Sequence, residues 1–385
     1  MRSGLRSLLE HPRLKALLLE HLLLAASATL AFAAIAMGRV RLEEAPRLVD
    51  FRLLALFFVL TIAVELGKAS ALFDRLVEAV VARVTTARAL AVALVAASGL
   101  LAAILTNDVA LFLVVPFTML FARVTAIELA PIVVLEIAAA NLIGAISPLG
   151  NPQNLFLFTR GGFTLGGFVS VQAPWVAAAA ALLLAAVPVA VPREDLGAHP
   201  SRQFDVDPRL AAACLLLLAA QVCALVGALH HWIPVALAVA AVPLLGRRIR
   251  EADFSLVFVF AFLFVGIAGL ERGRMYESLD PAALLGGRAQ SLVLSGALVS
   301  QVVSNVPAAM LLAPAAHSLD GFRALLHGVN SGGCGTPIAS LANLIGAQLF
   351  VRAGGRPRAF WRAFFPLNAA LLVLLLAVSL VLVSL

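Results

Sequence analysis

The chain reads as an all-α polytopic membrane protein built from two inverted repeats, each holding a re-entrant helical hairpin and a discontinuous transmembrane helix. Three observations lead there: an apolar composition no soluble fold can hide, apolar runs long enough to cross a bilayer, and four interrupted runs that repeat. Of 385 residues, 62% are hydrophobic and 13% charged, against roughly half and a quarter in an average soluble domain. The runs are long and unalternated, which excludes disorder and a transmembrane β-barrel. The net charge of +7 falls singly or in small groups between apolar runs, where topology signals belong. Membrane lipid is therefore an expected partner and nucleic acid is not. Three cysteines, none in a CxxC pair, argue against a disulfide framework or a zinc site, and neither a metal nor a cofactor is expected.

Taken in order, Arg2, Arg6, Arg13 and Lys15 precede an apolar stretch too long for a cleaved leader, so a retained first helix is expected over 14–38. Plain spans follow at 48–66, 168–192, 210–229, 231–246, 254–270 and 364–385, each near the ~20 residues a helix needs to cross. The polar loop 193–209, with Pro200 and Pro208, is a cytoplasmic linker between an N-terminal half, 1–192, and a C-terminal half, 210–385.

Four stretches do not fit a plain span. Between 89 and 122 the only charge is Asp108, and between 289 and 316 there is none. Straight helices of that length would cover roughly 40–50 Å, well beyond a ~30 Å hydrocarbon core. Each predicts a hairpin that enters and leaves on one side, with tips at Thr106-Asn107-Asp108 and Ser304-Asn305-Val306-Pro307. The stretches 129–159 and 324–351 are interrupted by Ser147-Pro148-Leu149-Gly150-Asn151-Pro152 and Gly332-Gly333-Cys334-Gly335-Thr336-Pro337. Gly and Pro at that density break helices, and irregular backbone at membrane depth persists only where it lines a cavity or is buried in protein.

These stretches repeat. The segment from Thr106 to Pro116 aligns without gaps on the segment from Ser304 to Pro314, with Asn107/Asn305, Ala110/Ala308, Leu113/Leu311 and Pro116/Pro314 identical. The segment from Asn141 to Asn154 aligns on that from Asn330 to Asn343, with Asn141/Asn330, Gly144/Gly333, Pro148/Pro337 and Asn154/Asn343 identical. A weaker match joins Leu72-Phe73-Asp74 to Met275-Tyr276-Glu277. With each hairpin counted as no crossing, an odd number of crossings separates the repeats, so the second is inverted. A cytoplasmic N-terminus then puts most Lys and Arg inside, including Arg88, Arg193, Arg248 and Arg356, as the positive-inside rule asks.

Inverted repeats with discontinuous helices meeting at mid-membrane are transporter architecture. A helix that stops inside the membrane presents N–H groups to an anion or carbonyls to a cation. Amides and hydroxyls at the break replace hydration without fixed charge. The candidate substrate and ion ligands are Thr106, Asn107, Asp108, Ser147, Gly150, Asn151 and Asn154 from one half. Ser304, Asn305, Gly335, Thr336, Ser340 and Asn343 come from the other. Together they predict one substrate site near the midplane, flanked by two pseudo-symmetric hairpin sites. Asp108, opposite Val306 in the repeat, is the candidate for proton or cation coupling, with capping of its own helix as the structural alternative. Glu136 is the second candidate, with pairing to a neighbouring hydroxyl or amide as its alternative. Cys334 reads as a small residue filling a tight break, and His230, His231, His317 and His327 as interfacial rather than metal-binding.

The strings TNDVALFLVVP, NLIGAISPLGNPQN, SNVPAAMLLAP and NSGGCGTPIASLAN resemble the paired signatures of the ion transporter superfamily, which includes arsenite and antimonite permeases and citrate and dicarboxylate carriers. The Asn107-Asp108 pair and the Pro148-Leu149-Gly150-Asn151-Pro152 break resemble the arsenite permease-like bacterial branch. The resemblance implies tips and breaks that bind substrate and coupling ion, elevator-like or rocking motion, and a homodimer. The expected function is secondary active transport of a small anion or oxyanion across the bacterial cytoplasmic membrane, narrowed to arsenite or antimonite efflux coupled to H⁺. The alternatives are a di- or tricarboxylate symporter coupled to a cation such as Na⁺, and a Na⁺/H⁺ antiporter. A membrane-embedded enzyme needs paired acids or a Ser–base pair at depth, and the sequence supplies no catalytic residues of that kind.

Overall fold

The computed structural model describes residues 22–81, 84–123, 127–196, 204–273 and 289–384, and among them it is helical throughout, without a β-strand. The start of the first expected span, 14–21, and the weak-match segment Met275-Tyr276-Glu277 lie outside the described residues. Six described helices are long and apolar enough to cross a membrane, or seven with one bent pair counted as a span. The chain is a multi-pass membrane protein.

Two compact units make up the fold. The smaller comprises residues 1–58 and 253–280, the larger 59–252 and 281–385. In the smaller, α1 (Leu22–Ala36) packs along α12 (Ser255–Arg272). Phe57, at the start of α3 (Phe51–Ala69), meets Phe260 with ring centroids 4.7 Å apart. At the end of α12, Arg272 binds Glu44 at 2.7 Å and the Arg39 carbonyl at 3.2 Å. The hydrogen bond from Arg272 holds the Glu44 carboxyl below the usual carboxylate range. Glu44 directly precedes the single turn α2 (Ala45–Leu48).

The larger unit holds both hairpins and both broken helices. It opens with a bend absent from the sequence reading. Helix α3 turns by 67° into the amphipathic α4 (Leu72–Val81). Ala71 at the bend has φ 58, a conformation costly to any residue but glycine. The turn is fastened by Ser70, whose hydroxyl donates to the Gly67 carbonyl at 2.8 Å and accepts from the Leu72 N–H.

The first hairpin is α5 (Ala87–Ile104) and α6 (Asn107–Leu120), and the second is α13 (Ala289–Val303) and α14 (Asn305–Leu312). The first broken helix is α7 (Ala130–Leu142) and α8 (Pro152–Arg160), and the second is α15 (Leu319–Gly332) and α16 (Leu341–Arg352). The tips are narrower than the sequence suggests, because Asn107, Asp108 and Asn305 already lie in the first turns of their helices. The gaps are also wider than the Gly/Pro strings. Residues 143–151 include a 3₁₀ turn, Gly144–Ile146, and residues 333–340 include another, Pro337–Ala339. Helix α15 begins five residues before the expected 324.

Each hairpin's first arm packs on the first half of its own broken helix through small residues, the usual means of close helix approach in lipid. A Cβ on Gly328 of α15 would sit 2.5 Å from the Val293 carbonyl oxygen of α13. The remaining spans are α9 (Leu165–Ala190), α10 (Pro208–Leu225), α11 (Trp232–Leu245) and α17 (Pro357–Ser384). Helix α17 starts seven residues before the expected 364. The described part of the linker is not free: the Leu196 N–H donates to the Thr85 carbonyl at 2.8 Å, and the Asp207 side chain caps α10.

Candidate functional site

Four helices begin at interior breaks. Thr106 caps α6 by accepting from the Val109 N–H, and Asn151, Ser304 and Ser340 stand at the caps of α8, α14 and α16. Pro152 at the first turn of α8 has no N–H to lose. Asn107, Asn151, Asn154, Asn305, Ser340 and Asn343 are all buried, as are Asn141, Gln153 and Asn330. Groups of this kind are stable inside only when hydrogen-bonded.

The bonds they make interlock the repeats. Asn141 Nδ2 donates to Asn343 Oδ1 at 3.1 Å, and Asn330 Nδ2 donates to Asn154 Oδ1 at 2.9 Å. Asn141 aligns with Asn330, and Asn154 with Asn343. The two bonds are thus the same bond drawn twice with the repeats exchanged, as a two-fold relation requires. Asn141 Oδ1 also accepts from Asn107 Nδ2 at 2.8 Å and from the Ser340 hydroxyl at 3.0 Å, and its carbonyl accepts from Asn151 Nδ2 at 2.9 Å. Gln153 Nε2 donates to Asn330 Oδ1 at 3.0 Å. The structure therefore brings together Asn107, Asn151, Asn154, Ser340 and Asn343, and adds Asn141, Asn330 and Gln153.

Gly150 sits where only glycine fits: its Cβ would lie 1.9 Å from the Gly144 carbonyl oxygen. That closeness lets the Gly150 carbonyl reach the Asn107 N–H at 2.8 Å, tying tip to break. The second repeat achieves the same tie with a side chain. Gln301 of α13 donates to the carbonyls of Gly332 and Cys334, and its Oε1 accepts from the Thr336 N–H at 2.8 Å. Gly335, at φ 100, passes against that amide. Gln301 aligns with Ala103, so the repeat gave no hint of it. Asn141 and Asn330 did carry a hint, in their identity across the repeat.

The tips differ. Thr106 is extended and caps its helix, whereas Ser304 has φ 75 and ψ 155, makes no cap bond, and only approaches Asn305 Oδ1 at 3.5 Å. That backbone region is almost confined to glycine and costs of order 1–3 kcal/mol elsewhere. Ser147 holds its turn by accepting from the Leu149 N–H at 3.1 Å. Asp108 is half-buried in the first turn of α6, where its charge favours the helix N-terminus.

Glu136 is fully buried on α7 and makes no hydrogen bond to the amide network among the described residues. Thr118 of α6 donates its hydroxyl to Glu136 Oε1 at 2.5 Å, the hydroxyl pairing considered as the structural alternative, while Oε2 accepts no hydrogen bond among the described residues. The same holds of Asn151 Oδ1, Gln153 Oε1 and Gln172 Oε1. The first break is therefore rich in acceptor oxygens, suited to a cation or to the hydroxyls of a protonated oxyacid, while its helix N-termini suit an anion. Cys334 is buried in the second break with no other cysteine bonded to it.

The profile of the citrate transporter family matches residues 16–324. The inner membrane protein YbiR of Escherichia coli is 33% identical over 313 residues, 79% of each chain. An uncharacterized transporter of Methanocaldococcus jannaschii is 29% identical over 266 residues, 67% of this chain and 70% of that one. A 46 kDa membrane protein of Mycobacterium leprae is 25% identical over 296 residues, covering 67% and 68%. With its helical hairpins, its interior breaks and a match over most of its length, this chain belongs to the citrate transporter family of membrane transporters.

Proposed function

We propose that the protein is a secondary active transporter, not an enzyme, that moves a small oxyanion or its neutral oxyacid across the cytoplasmic membrane by alternating access. The observation that carries this reading is the exchanged pair Asn141–Asn343 and Asn330–Asn154. It places the interior ends of both broken helices around one buried, uncharged polar centre. Contacts at the ends of helices support the inverted topology, since each joins segments that the crossing count puts on one side. Arg356 meets Glu128 and Arg248 meets the Ala69 carbonyl on the inner side. Arg272 meets Glu44 and Arg323 meets the Leu382 carbonyl on the outer. The name of the E. coli relative supports an inner-membrane location, and the superfamily resemblance supports a homodimer.

The narrowest cargo is arsenite or antimonite. No Lys or Arg stands at either tip or break, so a multiply charged carboxylate would need co-bound cations to offset its charge. Uncharged arsenous acid would be recognised by hydrogen bonds alone. Its active movement needs a driving ion, H⁺ held at Glu136 or Asp108. The family's own name favours a second reading, a carboxylate carried with a cation such as Na⁺.

Uptake and counterflow in proteoliposomes test both. Arsenite or antimonite movement driven by a pH gradient and indifferent to Na⁺ supports the first reading. Citrate or succinate movement that requires a cation replaces it with the second. Asn107→Ala and Asn305→Ala are each expected to reduce transport at least tenfold; normal transport by both would remove the paired tips from the mechanism.

A further inference from the structure

A groove of about 930 Å³ opens on the larger unit, lined by no residue of the tips or breaks, where the start of α17, the end of α9 and the start of α7 come together. Its volume is that of a ligand site rather than a surface dimple. One end is basic, formed by Arg356, Arg358 and Arg362 with Glu128 as the single acid. Arg356 is taken up by Glu128 at 2.5 Å. Arg358 and Arg362 are exposed and make no ion pair among the described residues. Four residues apart on a helix, they project from one face. Away from the arginines the walls are wholly apolar: Val134 from α7, Val189 from α9, and Leu367 and Ala370 from α17.

The level of this groove in the membrane follows from its neighbours. The first turns of α17 read Arg358-Ala359-Phe360-Trp361-Arg362-Ala363-Phe364-Phe365, with Phe365 exposed. Arginine interleaved with aromatic side chains marks the headgroup region. Beyond Pro366 the helix carries no charge to its end, and its exposed face, with Val373, Leu374 and Val381, is apolar. The basic end therefore lies at headgroup depth and the apolar walls at acyl-chain depth. A bare surface of spanning helices needs only apolar residues to meet lipid, and a topology signal needs only charge. This site has both, joined in one concavity, with more positive charge than Glu128 offsets.

We propose that the groove binds one anionic phospholipid, its phosphate held by Arg358 and Arg362 and one acyl chain lying along Val134, Val189 and Leu367. A guanidinium binds a phosphate through paired N–H donors, and basic pockets between membrane helices favour anionic headgroups. Val189 is 89% exposed, so the chain would cover an apolar surface otherwise left to bulk lipid. The proposal stands independently of the cargo.

Native mass spectrometry of the full-length protein, delipidated and titrated with phosphatidylglycerol or phosphatidylcholine of identical chains, tests it. One phosphatidylglycerol is expected to bind at least tenfold more tightly than phosphatidylcholine. R358Q/R362Q is expected to erase that preference while keeping its melting temperature in phosphatidylcholine. Should that variant not fold, Ala370→Trp fills the apolar end and is expected to weaken phosphatidylglycerol with all arginines intact. Equal binding of the two lipids, or an undiminished preference in a folded variant, would overturn the proposal. So would competition by glycerol phosphate as effective as that by the lipid, because the site would then take a free anion.

Discussion

Asn141 accepts from Asn107 and Ser340 and donates to Asn343, so one side chain joins a tip, its own broken helix and the opposite repeat. Asn141→Ala leaves buried partners unmade at about 1–3 kcal/mol each. The expected result is a lower melting temperature and at least a tenfold loss of transport. Asn141→Asp keeps the acceptor but turns a carboxylate oxygen on Asn343 Oδ1 and buries a charge, and is expected to destabilise at neutral pH at least as much as alanine. Ser304 makes the opposite prediction. Ser304→Gly relieves its φ of 75 and is expected to stabilise the protein by about 1 kcal/mol. Thr106→Ala, at the aligned tip, removes a cap and is expected to destabilise by about 1 kcal/mol. Paired thermal melts check both signs. Glu136→Gln preserves shape and a partner for Thr118 but cannot titrate. If Glu136 carries the coupling proton, pH-gradient-driven transport is lost while exchange of cargo at equal pH survives.

At the scale of elements, close packing of α13 on α15 fixes where the second break falls. Gly328→Ala places a methyl against the Val293 carbonyl and is expected to cost about 1–3 kcal/mol by overpacking. Gly166→Ala in α9 meets open space and is expected to leave the melting temperature unchanged. The hairpins and breaks were legible because Gly, Pro and Asn interrupt runs otherwise long enough to overrun the bilayer, and because they do so twice. The α3–α4 bend was not legible, because alanine, the best helix former, stands at its corner. It is set instead by the Phe73 ring lying over Gly67. The candidate site was half legible. Composition pointed to the amides at the breaks, but which amide meets which depends on contacts between Asn141 and Asn343 or Gln153 and Asn330, about half the chain apart. Gln301 was invisible because its repeat counterpart is Ala103.

For the whole molecule, the inverted topology proposed above sets which loops share a side of the membrane. Membrane-impermeant thiol labelling checks it. Arg193→Cys and Arg356→Cys are expected to label from the cytoplasmic side, and Arg160→Cys and His230→Cys from the other; labelling of Arg160→Cys and Arg193→Cys from the same side would contradict the inversion. The central claim is that the interlocked carboxamides form the cargo site, and ligand-dependent thermal stability tests it most directly. Purified wild type, Asn141→Ala and Asn343→Ala are melted with arsenite, antimonite, citrate, succinate, phosphate or sulfate, each in Na⁺ and in choline at two pH values. A ligand at 100 times its Kd stabilises by about 2.7 kcal/mol. The account predicts a shift in wild type with a small oxyanion that both substitutions abolish. A ligand that shifts all three proteins equally would place the cargo site elsewhere.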